Sequence, residues 1–177
     1  MTTTDPSCNT CPISQSLCSV RGVFASMAGV AAALMAFALY LQEVQGQHPC
    51  PLCITQRIFV IGIGVLALLA ALHNPARAAR RIWSALILMA AIGGGIVAAR
   101  HVWIQHLPED QVPACGPGLG YMFANFPFRQ ALELLFLGDG NCAEVGWTFL
   151  TLSIPEWTLM AFTGFAIAAA AQFLRKT

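Results

Sequence analysis

Residues 50–72 read CPLCITQRIFVIGIGVLALLAAL and contain a single charged side chain, Arg57. The segment is long enough to cross the hydrocarbon core of a bilayer, which takes roughly 20 residues of α-helix. It opens with Cys50 and Cys53 in a C-x-x-C motif. A cysteine pair at the mouth of an apolar segment suggests thiol chemistry at a membrane surface.

Three further apolar stretches, which contain no charged residue, accompany this one. Hydrophobic residues make up 57% of the 177 residues and charged residues only 10%, whereas soluble domains carry about 25% charged residues. Backbone groups find no water in lipid, so each stretch is expected to be helical. The predicted spans are 22–41, 51–72, 82–99 and 157–174. The sequence therefore predicts an all-α integral membrane protein with a four-transmembrane-helix bundle.

Two other interpretations of these stretches fit less well. The helices of a soluble bundle would carry a polar stripe, which none of the stretches shows. A signal peptide has an apolar core of about 7–15 residues that ends at a small-residue cleavage site. Residues 22–41 are longer and lead into YLQEVQGQHPC.

The net charge of +1 argues against a general nucleic-acid-binding role.

Most basic residues fall on one side of this arrangement. Six of the nine flank the spans there: Arg21, Arg77, Arg80, Arg81, Arg175 and Lys176. Because Lys and Arg accumulate on the cytoplasmic side, residues 1–20 are predicted to be a cytoplasmic tail and residues 21–177 a redox domain whose C-terminus is also cytoplasmic. Four cysteines then lie outside, where disulfides persist. These are Cys50, Cys53, Cys115 and Cys142.

The second external loop, residues 101–156, is too long for a simple connection. Within it, FPFRQALELLFLG at 126–138 predicts a short helix that starts at Pro127, because proline suits the first helical position. Its apolar face would carry Phe128, Leu132, Leu135 and Phe136. Such a helix would lie in the membrane interface or pack against the bundle.

The C-x-x-C pair is well placed for thiol chemistry. Pro51 suits the first position of a helix, so Cys50 is predicted at the N-cap and Cys53 in the first turn. The partial positive charge of a helix N-terminus favours a thiolate there. Arg57 lies one turn deeper on the same face, where it would stabilise a thiolate or a polar acceptor. Alternatively, Arg57 anchors the helix by reaching the headgroups.

Each cysteine pair also has a static interpretation. Cys50–Cys53 could be a fixed disulfide or part of a metal site, although so short a ring more often serves exchange. No βαβ pattern surrounds it, which excludes a thioredoxin domain. A Cys115–Cys142 disulfide could stabilise the loop by roughly 3–4 kcal/mol. However, Cys115 lies in VPACGPG, an exposed type of segment that an attacking thiolate could reach.

CPLCITQR at 50–57 and GNCAEVGWTFLTLSIPEW at 140–157 resemble the signatures of the DsbB family of disulfide-bond formation proteins. The resemblance covers nearly the whole chain after residue 20, with one cysteine pair in each of two external loops. It implies a quinone-dependent thiol oxidase in the bacterial inner membrane. In that family, a periplasmic DsbA-type oxidase of thioredoxin fold is reoxidised and the electrons pass to a membrane quinone.

The resemblance also implies a role for each site residue. The partner's thiolate would attack Cys115, whose disulfide mate would be Cys142, and Cys50–Cys53 would reoxidise this pair. Cys53 would lie nearest the quinone (ubiquinone or menaquinone), with Arg57 beside a quinone oxygen.

Two parts of the chain depart from the family pattern. The N-terminal extension contains Cys8, Cys11 and Cys18, which could be a metal site, a reducing pair or incidental cysteines; zinc usually takes four ligands. The segment RHVWIQH matches less well, so His101 and His106 receive no role.

Three rival functions remain open at this point. The vitamin K epoxide reductase type also couples cysteine pairs to quinones, but its extra helix and its loop signatures are missing here. A non-catalytic membrane subunit would use both pairs as structural disulfides. A metal-handling membrane protein would use Cys and His as ligands. Quinone reduction by a dithiol partner would separate the quinone-coupled oxidases from the structural subunit and from the metal-handling protein.

The sidedness can be tested by labelling introduced cysteines in intact cells with a membrane-impermeant thiol reagent. In a cysteine-free background, a unique cysteine between Arg77 and Arg81 should stay unlabelled, whereas one at position 115 should react. Labelling of the Arg77–Arg81 segment from outside would overturn the topology and, with it, the redox assignment of both pairs.

Overall fold

Four long helices dominate the computed structural model, which describes residues 19–46, 49–112, 126–127, 129–130, 138, 140–143 and 148–175. They are α1 (Val20–Val44), α2 (Pro51–His73), α3 (Arg77–Gln105) and α4 (Ile154–Leu174). Each is long and apolar enough to cross a membrane. The predicted fold class, an all-α multi-pass membrane protein, is thereby confirmed.

Local capping accounts for where the helices begin and end. The Ser19 hydroxyl accepts a 2.9 Å hydrogen bond from the backbone N–H of Gly22 at the start of α1, as N-cap serines do. At the start of α4, the Glu156 carboxylate accepts a 2.6 Å bond from the backbone N–H of Ser153, which forms a capping box. Asn74 ends α2 in the left-handed region, with φ of 41°, a conformation that asparagine tolerates.

The helices extend beyond the predicted spans, most clearly in α3. Arg80 was expected in a connection between spans two and three, but it lies inside α3 and is only 4% exposed. Its Nη2 donates a 2.6 Å hydrogen bond to the backbone carbonyl of Arg175, just after α4. The helix is longer than the predicted span because a charge-free stretch delimits only the hydrocarbon core, whereas a helix continues past it until its backbone is capped.

The bundle packs mainly as α1 on α2, α2 on α3 and α3 on α4, whereas α1 touches α4 at few points. Its core is built from fully buried side chains that include Phe24, Ile63 and Phe162. A Cβ added at Gly94 would overlap the Phe162 ring. The glycine run in α3 therefore serves close helix packing, as small residues do in membranes.

The described parts of the outer segments are short. They include 3₁₀ turns at Glu109–Gln111 and Gly140–Cys142 and a hairpin of β1 (Thr148–Phe149) and β2 (Leu152–Ser153). At the predicted interfacial helix, the Gln130 backbone N–H donates a 2.9 Å bond to the Pro127 carbonyl, which agrees with a helix start there. The rest of that helix lies outside the described residues.

The hairpin is tied to the start of α4. Trp157 Nε1 donates a 3.1 Å hydrogen bond to the Phe149 carbonyl, and the two rings lie 6.1 Å apart. Leu150 and Thr151 both adopt positive φ angles, 52° and 67°, as the two central residues of a type I′ turn must. The turn directs Phe149 and Trp157 to one end of the bundle, beside the C-x-x-C motif.

Candidate functional site

The site is organised by the first turn of α2. Cys50 is the N-cap residue, and its Sγ accepts a 3.3 Å hydrogen bond from the backbone N–H of Cys53. The two sulfur atoms are 3.0 Å apart. Pro51 occupies the first helical position, as predicted. Cys53 lies in the first turn of α2, where the helix N-terminus favours negative charge.

Cys142, which is far away in sequence, lies against this pair. Its Sγ belongs to a compact group with Cys50 Sγ and a ring nitrogen of His101, all within 4.8 Å of one another. Cys142 ends the 3₁₀ turn Gly140–Cys142 and is fully buried. It packs in a small apolar cluster with Leu52 and Ile104. The fold thus brings a cysteine of the second outer loop to the first cysteine of the C-x-x-C motif.

His101 is a central part of this group that the sequence did not identify. It is only 2% exposed, its Nε2 lies 3.8 Å from Cys50 Sγ, and its Nδ1 lies 3.1 Å from Gln56 Nε2. His106, by contrast, is exposed and bonds through Nδ1 to the Val102 carbonyl at 2.8 Å. One signal was available in the sequence. The residues of α3 one turn before and one turn after His101 are apolar, and the structure buries them.

Arg57 lies one turn below Cys53, as predicted, and its hydrogen bonds go to α1. Nη1 donates to Gln42 Oε1 at 2.6 Å, and Nη2 donates to the Ala38 carbonyl at 3.2 Å. These bonds offset part of the cost of holding a charge inside the bundle. Gln42 is a second residue that sequence reasoning missed, because its role depends on how α1 packs against α2.

A cavity of about 370 Å³ opens beside the C-x-x-C pair. All four helices and the hairpin contribute to its wall, which is mostly apolar. Its polar lining residues are Gln42, Cys50, Cys53, Gln56, Arg57, His101, Gln105 and Thr158. Gln105 Oε1 is buried and has no hydrogen-bond partner among the described residues. The cavity therefore offers an apolar space with polar groups concentrated near the sulfur atoms, a usual property of ligand sites.

The surroundings of Cys50 raise the pKa of its thiol. The hydrogen bond with Cys142 is the largest effect that raises the pKa of Cys50, followed by the hydrogen bond with Cys53 and by burial. A thiol of raised pKa is a poor leaving group in disulfide exchange. The raised pKa describes the reduced site, because its two largest causes are hydrogen bonds of the Cys50 thiol with the thiols of Cys142 and Cys53.

Four of the five residues predicted for the site meet here: Cys50 and Cys142 in contact, Cys53 beside them and Arg57 along the same cavity wall. Cys115 lies outside the described residues, as do Cys8, Cys11 and Cys18 of the N-terminal extension. The structure leaves the pairing of Cys115 with Cys142 as a prediction.

Comparison with known proteins identifies close relatives. The sequence model of the family described as Disulfide bond formation protein DsbB matches residues 20–172. The chain is 56% identical to Disulfide bond formation protein B of Saccharophagus degradans over 154 residues, 87% of this chain and 90% of the relative. It is 50% identical to the protein of that name in Hahella chejuensis, over 82% of this chain and 88% of the relative. It is 46% identical to Disulfide bond formation protein B 1 of Pseudomonas aeruginosa, over 90% and 98%.

Gly138 provides a test of how the second loop is held against the site. It has a φ of +75°, and a Cβ there would lie 2.7 Å from Leu52 Cδ1 and 3.2 Å from Ile104 Cδ1. We expect Gly138→Ala to displace the neighbouring Cys142 and to slow thiol oxidation by about tenfold, since left-handed strain costs roughly 1–2 kcal/mol and the crowding adds to it.

Gly46→Ala is the matched control for Gly138→Ala. Gly46 also has a positive φ, +65°, but within the described part of the chain no atom lies within 4 Å of a Cβ there. The measurement is the rate of oxidation of a dithiol partner by each purified variant, with thermal unfolding followed in parallel. Equal rates for both variants would mean that Gly138 does not position the loop.

Proposed function

Because the chain belongs to the DsbB family of disulfide bond formation proteins, we propose that it is a membrane thiol oxidase that reoxidises a periplasmic DsbA-type dithiol oxidase and delivers the electrons to a membrane quinone, ubiquinone or menaquinone. The observation that carries the proposal is the contact of Cys142 with Cys50, which joins a cysteine of each outer loop beside an apolar cavity.

Electrons enter at the second loop. A thiolate of the partner attacks Cys115, forms a mixed disulfide with it and breaks the Cys115–Cys142 bond. Cys142 leaves as a thiolate. Thiol–disulfide exchange proceeds in this way through a mixed disulfide, with the sulfur of the broken bond as the leaving group. Cys142 is buried, so the proposal assigns the first attack to Cys115, whose Pro- and Gly-rich sequence is typical of an exposed segment.

The second exchange follows from the position of Cys142. Its thiolate attacks Cys50 Sγ, forms a Cys50–Cys142 disulfide and breaks the Cys50–Cys53 bond. Cys53 leaves as a thiolate in the first turn of α2, where the helix N-terminus favours negative charge. The position of Cys142 beside Cys50 supports this direction, because attack on Cys50 makes Cys53 the leaving sulfur.

Two further exchanges complete the transfer. The partner's second thiolate attacks its own sulfur in the mixed disulfide, which gives the oxidised partner and releases Cys115 as a thiolate. Cys115 then attacks Cys142, restores the Cys115–Cys142 disulfide and leaves Cys50 and Cys53 as a dithiol. Two electrons and two protons have thereby moved from the partner to the C-x-x-C pair, beside the cavity.

The residues of the cavity suit a quinone. Its apolar wall accommodates a ring with a hydrocarbon tail, and its volume of about 370 Å³ lies within the range of small-molecule sites. Cys53, Arg57 and His101 would face the polar end of such a ligand. When bound, a quinone supplies a two-electron acceptor that takes up two protons on reduction. Arg57 would place a fixed positive charge there, and Gln42 would hold the guanidinium in position.

The proposal also specifies the compartment. The chain would lie in the bacterial inner membrane with both termini cytoplasmic, because the arginines at 21, 77, 80, 81 and 175 share one end of the bundle. The cysteine site would then face the oxidising periplasm, where the partner acts.

The order of the relay is tested by two cysteine substitutions. Cys115→Ser should block entry, so that partner oxidation falls to background while Cys50 and Cys53 are still oxidised by added quinone. Cys53→Ser should block exit but still allow a mixed disulfide between Cys115 and the partner. The measurements are steady-state turnover and non-reducing electrophoresis. Normal turnover by Cys115→Ser would make the Cys115–Cys142 bridge merely structural.

The role of Arg57 is tested by Arg57→Met and Arg57→Lys. Removal of a preorganised charge that stabilises the developing negative charge of an acceptor costs about 10²–10³-fold in rate, so we expect a loss of that size in the kcat of quinone reduction by Arg57→Met. Arg57→Lys should retain more activity, because the charge remains although the planar fork is lost.

The exposed Arg81 at the opposite end of the bundle provides the matched control for Arg57. Arg81→Met removes the same charge far from the cysteines and should leave turnover unchanged. The assay reports kcat and KM for the quinone separately, with a reduced dithiol partner in excess. Wild-type values for Arg57→Met would identify Arg57 as a headgroup anchor.

A further inference from the structure

The contact between the two loops has a second chemical property besides exchange. Cys50, His101 and Cys142 present two sulfur atoms and one imidazole nitrogen within 4.8 Å of one another, and all three side chains are buried. Cys53 Sγ lies 3.0 Å from Cys50 Sγ, so a further thiol stands beside the group. Thiolate and imidazole ligands together are the usual set for Zn²⁺ in proteins.

We propose that the reduced protein binds Zn²⁺ through Cys50, His101 and Cys142, and that the bound zinc holds the oxidase in an inactive, reduced state. The binding site goes beyond the proposed function, whereas the inhibition rests on it.

The spacing of the ligand atoms fits this ion. With Zn–S bonds near 2.3 Å and Zn–N bonds near 2.0–2.1 Å, tetrahedral coordination places a sulfur and a nitrogen ligand about 3.6 Å apart. Cys50 Sγ and His101 Nε2 are 3.8 Å apart. The separations to Cys142 are within 4.8 Å, so side-chain rotations of up to about 1 Å would bring them to the values of tetrahedral coordination.

Charge balance favours the ion in this buried position. The two thiols of Cys50 and Cys142 each lose a proton when they bind Zn²⁺, and the two thiolates neutralise the dication. His101 binds as neutral imidazole. The site as a whole is then uncharged, which limits the cost of placing a metal ion in a region of low dielectric.

A second residue orients the histidine. Gln56, itself 4% exposed, contacts His101 Nδ1 at 3.1 Å. With its amide turned so that the oxygen faces the ring, Gln56 accepts a hydrogen bond from Nδ1–H and leaves the Nε2 lone pair towards Cys50. The oxygen and nitrogen of an amide have nearly the same shape, so this orientation fits the structure equally well. A hydrogen-bond acceptor on the second ring nitrogen is typical of metal-bound histidines.

Zinc binding and disulfide exchange exclude each other. A disulfide ties up the sulfur lone pairs and charge that the metal needs, so Zn²⁺ binds only when Cys50 and Cys142 are both thiols. In turn, a thiolate held by zinc cannot attack a disulfide or be oxidised readily. The redox state of the relay would therefore control the metal site, and free Zn²⁺ would trap the enzyme after it has been reduced.

The test uses the full-length protein with Cys8, Cys11 and Cys18 replaced by serine, so that the N-terminal cysteines bind no metal. The protein is reduced with a phosphine and titrated with Co²⁺, whose visible and near-ultraviolet bands report tetrahedral geometry and thiolate ligation, and then with Zn²⁺. We expect one ion per chain, release of two protons per Zn²⁺ and no binding after oxidation.

Variants assign the ligands. Loss of a residue that hydrogen-bonds a metal ligand weakens metal binding by about 10–100-fold. We therefore expect the affinity for Zn²⁺ to fall by that factor in Gln56→Leu and by more in His101→Ala and Cys142→Ser. His106→Ala is the matched control, because His106 is exposed on the same helix, and it should bind as the parent does. Helix content measured by circular dichroism verifies that each variant folds.

Two results would overturn the site: no stoichiometric binding by the reduced parent, or unchanged affinity in both His101→Ala and Cys142→Ser, which would assign the metal to the C-x-x-C pair alone. Turnover is measured separately. Zn²⁺ should inhibit it, and a chelator should restore it. Turnover that is insensitive to bound Zn²⁺ would refute the inhibition, whereas absence of turnover without zinc would refute the proposed function and leave the binding result intact.

Discussion

The chemistry of this protein depends on the contact between the first turn of α2 and the last turns of α3. A short connection after Asn74 makes these helices neighbours that run in opposite directions, so the start of one and the end of the other lie at the same end of the bundle. Leu52 and Ile104, both fully buried, pack at this junction. Cys142 is added to it by a loop that approaches through Gly138. Because α2 begins there, the backbone N–H of Cys53 donates its hydrogen bond to Cys50 Sγ.

Buried polar groups occupy two separate levels of the bundle. Near the cysteines, Gln56 and His101 contact each other and Arg57 bonds to α1. At the opposite end, Arg80 is buried and bonds to the carbonyl of Arg175, where α4 has just ended. Polar groups within a membrane are costly and usually functional. The second level has a structural explanation, since Arg80 satisfies a carbonyl that the end of a helix leaves open, whereas the first surrounds a cavity.

The sequence was sufficient for the helices and for part of the site. Charge-free stretches located all four spans, and Pro51 after Cys50 located the N-cap, because both depend on local physical chemistry. The role of Gln42 and the burial of His101 could not be predicted in the same way, since each depends on the packing of one helix against another. The burial of Arg80 could not be predicted for a related reason, because a carbonyl from a distant part of the chain accepts its hydrogen bond.

The approach of Cys142 to Cys50 illustrates the limit of motif reasoning. The signatures predicted two pairs and their order, but two cysteines in different loops have no spacing that could give their separation. The loop geometry supplies it through Gly138, where a side chain would overlap Leu52. Cys115, which the described residues do not include, remains known from the sequence alone.

The sparse packing between α1 and α4 has a kinetic consequence. Side chains of both helices, such as Ala38 and Thr158, line the cavity, so an apolar molecule dissolved in the bilayer would reach it sideways along this seam without passing through water. Its effective concentration is then its mole fraction in the lipid. In micelles, the apparent KM for the proposed quinone should rise in proportion to the amount of detergent, because more detergent dilutes the quinone within the micelles. The KM for a water-soluble thiol partner should not change.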